Sequence, residues 1–69
     1  MENNQVNIPE LIIKSTETYP IRWYWEIKLN NNTLCKSEHT FENENLCRVN
    51  LVVLNTCFKY FNDKNMITL

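Results

Sequence analysis

The chain has 69 residues, 43% hydrophobic and 22% charged, with a net charge of −1 and a pI near 5.7. That length admits one domain, just short of the roughly 70–80 residues at which a single core suffices, so a disulfide, a metal or a partner subunit is expected to help. The near-neutral charge argues against nucleic-acid binding by bulk electrostatics, the composition argues against disorder, and no apolar run approaches the ~20 residues of a membrane span.

Residues 1–8 are polar and unpatterned and end at Pro9, which predicts a flexible arm ahead of a single domain over 9–69. The opening Met1-Glu2-Asn3-Asn4-Gln5 lacks the basic and then apolar regions of a secretory signal, so a cytoplasmic protein is expected. Leu11-Ile12-Ile13-Lys14 reads as a first strand and Ser15 to Pro20 as turn material.

The alternation is clearest next. Ile21, Trp23, Trp25, Ile27 and Leu29 share one parity, and Arg22, Tyr24, Glu26 and Lys28 the other. A period of two places the indoles on one face of a strand and the charged residues on the opposite face. There are twelve asparagines and no glycine. Asparagine is the non-glycine residue most tolerant of positive φ, so it is expected at the turns. Asn31-Asn32 is expected to close a type I′ hairpin pairing Leu29 with Leu34, with a third strand over Thr33–Glu38. Lys36 follows Leu34 on the same face, which an edge position or a bulge accommodates.

Beyond Phe41 the period becomes helical. Acidic residues at Glu42 and Glu44 suit a helix N-terminus, and Leu46 to Phe61 contain no proline. At 100° per residue the apolar positions span an arc roughly 200° wide, about twice what a surface helix needs. One sheet shields part of that arc, so a second copy of the chain is expected to cover the rest. The core is expected at Trp23, Trp25, Ile27, Leu29, Leu34, Val49 and Val53. Asn50, Leu51, Leu54, Phe58 and Phe61 are expected at the dimer interface, where Asn50 either pairs across the contact or caps a sheet-edge group. Met66 to Leu69 offers a fourth short strand.

The fold class is therefore α+β: an antiparallel three-stranded meander on one C-terminal helix, dimeric. The order resembles that of the YegP-like family of small domains. Arg22-Trp23-Tyr24-Trp25-Glu26-Ile27-Lys28, Asn30-Asn31-Asn32 and Thr33-Leu34-Cys35-Lys36-Ser37-Glu38 carry the resemblance, which covers about residues 11–57. Asn32 stands where that family has glycine, and its small residues and Asn-Gly in the helix are absent here. The resemblance implies the meander-and-helix fold and, for a single repeat, pairing of two copies. It implies no activity.

No catalytic constellation stands out. His39, the only histidine, lies four residues from Cys35 with no orienting group in view, and a surface position is expected. Cys35, Cys47 and Cys57 lack metal-ligand spacing and are expected to be buried free thiols, with a Cys35 disulfide as the alternative. No catalytic residue, metal or cofactor is expected. Arg22, Tyr24, Lys28 and Lys36 form a basic and aromatic sheet face suited to a protein partner. A DNA-binding sheet face is the alternative, opposed by Glu26 at its centre. The expected function is a small non-enzymatic, homodimeric protein-interaction module, of which a phage-borne inhibitor of a host defence complex is one specific form.

Overall fold

The computed structural model describes residues 8–67. Strands β1 (Pro9–Ser15), β2 (Trp23–Leu29) and β3 (Asn32–Lys36) precede one helix, α1 (Glu44–Asp63). The strands form an antiparallel three-stranded sheet in the order β1-β2-β3, an α+β fold. Most of the expected arm, residues 1–7, lies outside the described residues. So do Thr68 and Leu69 of the expected fourth strand, while Met66 and Ile67 form a bend.

Asparagine takes each positive-φ position among the described residues: Asn30 at 54°, Asn31 at 67° and Asn65 at 58°. The hairpin therefore turns on Asn30-Asn31, one residue earlier than the expected Asn31-Asn32, and Leu29 faces Asn32 rather than Leu34. Two consecutive left-handed residues match the twist of the strands that they join. The shift is absorbed by a bulge: Lys28 pairs with Thr33 and Ile27 with Cys35, leaving Leu34 as the extra residue. Leu34 is consequently 60% exposed and is not a core residue. Cys35 takes the inward place opposite Ile27.

Between β1 and β2, Thr16 N–H donates to the Arg22 carbonyl at 2.7 Å, and Arg22 N–H donates to Thr16 Oγ1 at 2.9 Å. Past β3, Trp23 and Phe41 exchange backbone bonds of 2.8 and 2.7 Å, which holds the approach to the helix against the sheet. Asn43 caps α1, its side chain accepting Leu46 N–H at 2.9 Å. Glu44 in the first turn takes both Nε (3.0 Å) and Nη2 (2.7 Å) of Arg48. The helix ends in a Schellman turn: Met66 N–H reaches the Phe61 carbonyl at 2.8 Å and Asn65 N–H the Asn62 carbonyl at 3.1 Å. Asn65 occupies the left-handed position usually given to glycine.

Helix α1 packs on β1 and β2. Its inward face is Cys47, Asn50, Leu51 and Leu54. Val49 and Val53, expected in the core, are 49% and 54% exposed. The apolar arc is as wide as its sequence implies, but the sheet covers the opposite half of it. Trp25 directs this choice, because its indole N–H donates to Asn50 Oδ1 at 2.7 Å and draws the Asn50 side of the helix inward. Trp23, Ile27 and Leu29 are half-buried, and among the described residues Trp25 and Cys47 are the buried apolar side chains, Cys47 completely so.

Candidate functional site

Two apolar surfaces remain open. The first is a groove of about 570 Å³ between the sheet and the middle of α1, lined by Leu11, Trp25, Ile27, Leu51, Leu54 and Phe58 among others. It exists because the helix is pinned near its N-terminal end, by Cys47 and by the Trp25–Asn50 bond, and lies less closely on the sheet further along. Leu51, Leu54 and Phe58, expected to face a second copy, thus line a cleft opposite the sheet of their own chain. Asn50 bonds its own Trp25 indole.

The second surface is the flank of α1 that the sheet leaves bare. Leu46, Val49, Val53, Cys57 and Tyr60 recur at spacings of three and four residues, and all five are exposed. That spacing sets them in one stripe along the helix. At its far end Phe61 meets Phe58 edge-to-face at 6.3 Å and Tyr60 at 6.2 Å, and Lys64 Nζ lies 5.8 Å from the Tyr60 ring centre. Sequence periodicity showed the breadth of the arc. The indole–amide bond that decides which half is left over carries no periodic signal.

The opposite sheet face differs from the basic patch expected there. Arg22 is occupied: its Nε donates to Thr40 Oγ1 at 3.0 Å and its Nη2 to the Thr40 carbonyl at 2.8 Å, which ties the β3–α1 connection to β2. Glu26 is only 7% exposed rather than an open repulsive charge. Its Oε1 lies 3.4 Å from Lys14 Nζ, without hydrogen-bond geometry. Tyr24 and Lys28 are half-buried, and Lys36 is exposed opposite Glu26.

Cys35 and Cys57 are free and exposed, which corrects the expectation of burial, and Cys47 is free and buried. Burial pushes the Cys47 thiol up, with Arg48 pulling the other way and Glu44 adding to the rise. It is thus a packing residue rather than a nucleophile. His39 is exposed, its carbonyl accepting from Ser37 Oγ at 2.8 Å. No group of three or more His, Cys, Asp or Glu able to hold a metal occurs among the described residues, and no helix among them is long and apolar enough to cross a membrane. No protein-family model, curated protein or solved structure matches the chain.

Proposed function

We propose that this chain is a non-enzymatic protein-interaction module that works in the cytoplasm as a pair of identical copies. One observation carries the proposal: among the described residues two side chains make the buried apolar core, while a groove and a helix flank stay open to water. Burying one large side chain contributes about 2–3 kcal/mol, whereas ordering each residue costs about 1–2 kcal/mol of backbone entropy. A single copy is therefore poorly supported.

The resemblance to YegP-like domains belongs to this proposal, since a lone repeat of that kind also calls for pairing. A small, asparagine-rich, motif-free module also suits a phage-borne inhibitor that holds a host defence complex through such a surface. Sedimentation equilibrium at micromolar concentration tests the pairing, and a folded monomer there overturns it. Pull-down from the native host tests the inhibitor reading, which recovery of no defence component overturns.

A further inference from the structure

The two edges of the sheet are not alike. The β3 edge is short and carries a bulge at Leu34, with Lys36 near its end. These are the devices that keep an edge strand from pairing with another chain. The β1 edge carries Pro9 and Lys14 only toward its ends and has no bulge, and its middle has none of these devices. It runs for seven residues in unbroken register with β2, and its centre is the uncharged Leu11-Ile12-Ile13, of which Leu11 is 55% exposed.

The hydrogen-bond parity shows which groups that edge presents. Trp23 and Trp25 turn their backbone groups toward Phe41 and Ser37 on the β3 side, so the even residues of β2 face β1. They pair with Glu10, Ile12 and Lys14, and Thr16 N–H continues the same parity by donating to Arg22. Leu11, Ile13 and Ser15 consequently point their N–H and C=O groups outward, as Pro9 does its carbonyl.

We propose that β1 pairs antiparallel with β1 of a second copy about a two-fold axis through Ile12. In this register Leu11 and Ile13 of each copy exchange backbone bonds with Ile13 and Leu11 of the other. Ser15 N–H reaches the carbonyl of the other copy's Pro9, while the Ser15 carbonyl, for which proline offers no N–H, is left to water at each end of the seam. Ile12 lies beside its own counterpart. Glu10 of each copy stands opposite Lys14 of the other, placing each lysine between two carboxylates, since Lys14 already lies beside Glu26. Slipping by one residue in either strand sets outward groups against inward ones, and slipping by two opposes Lys14 to Ile12 or Glu10 to Ile12.

This inference rests on the self-association proposed above and specifies its seam. Because paired residues share a face, the two helices fall on the same side of one continuous sheet. Each helix lies over β1 and β2, and strands are spaced about 4.8 Å apart. The two helices would then stand about 10 Å apart, the distance at which helices pack.

The test uses the full chain. Leu11→Pro removes an outward N–H from each copy and leaves the bonds to β2 intact. Circular dichroism is expected to be unchanged, and the dimer dissociation constant is expected to rise about a hundredfold. With Cys35→Ser and Cys57→Ser in the background, Ile12→Cys is expected to cross-link two copies on mild oxidation, because Cα atoms of a non-hydrogen-bonded pair lie about 4.5 Å apart. Lys36→Cys in that background is expected to stay uncross-linked. Glu10→Lys and Lys14→Glu each weaken the homodimer, while mixing the two variants yields a heterodimer in which every opposed pair is complementary. A wild-type dimer that Leu11→Pro leaves equally tight, with no Ile12→Cys cross-link, overturns the seam but not self-association. A folded wild-type monomer overturns both. If Leu11→Pro does not fold, the cross-link and the mixing experiment decide.

Discussion

Trp25 Nε1 and Asn50 Oδ1 meet at 2.7 Å, joining the middle of the central strand to the inward face of the helix. Removing the acceptor by Asn50→Ala leaves a part-buried indole donor unpaired, a loss of about 1–3 kcal/mol. Urea denaturation followed by tryptophan fluorescence measures it, and a variant as stable as wild type contradicts this role for the bond. The turn residues make a sharper comparison. Asn31 has positive φ and Asn32 begins a strand. Asn31→Gly is therefore expected to hold or raise stability by a few tenths of a kcal/mol, and Asn32→Gly to lower it by about 0.5–1 kcal/mol. The opposite order in thermal melts would restore the turn one residue later. Cys47 gives a pH prediction. Its thiol is pushed up by burial in the folded chain, so the unfolded chain releases its proton first as pH passes the ordinary value of 9.0. Its contribution to stability is fully present below that pH and is lost as pH rises above it. A disulfide reagent should modify Cys35 and Cys57 in the native protein and reach Cys47 only on unfolding.

At the scale of elements, α1 decides the character of the molecule. Its start and length agree with its sequence, Glu44 lying in the first turn and the apolar period running without proline to Phe61, while the Asn43 cap is seen only in the structure. Which side it turns to the sheet was not legible. A 200° apolar arc fits a sheet in several rotations, and hydrophobicity alone is nearly indifferent among them. Directional bonds break the tie, and here one indole donor does so. The hairpin has the same logic. Three successive asparagines allow adjacent turn positions, and pairing Cys35 with Ile27 through a bulge at Leu34 selects one of them. The bare helix stripe predicts that Val49→Lys together with Val53→Lys leaves the monomer's helix content intact by circular dichroism. If that stripe is an interaction surface, the double variant also loses capture of the protein partner.

At the scale of the whole molecule, the described residues bury Trp25 and Cys47 and leave Leu11, Val49, Val53 and Phe58 among their exposed large apolar side chains. A protein whose folded form is completed by a second copy melts at a temperature that rises with concentration. Differential scanning calorimetry from about 5 to 500 μM is expected to show that rise, and a constant melting temperature argues for a self-sufficient monomer. The sheet face opposite the helix has Arg22 held by Thr40 and Lys14 by Glu26, leaving Lys36 exposed there and Lys28 half-buried. Duplex DNA is therefore expected to bind weakly even at low salt, and a salt titration with a steep slope would favour the DNA reading instead.

The amino-acid sequence by itself determined the number, type and order of the elements and the use of asparagine where the backbone turns left-handed. These are local matters of period, capping and φ, resolved within a few residues. Only the tertiary structure decided the rotation of the helix, the register of the hairpin, the burial of Glu26 and the difference between the two sheet edges. Each of those depends on a bond or a pairing between residues distant in the chain, and a one-dimensional pattern carries no record of which distant groups will meet.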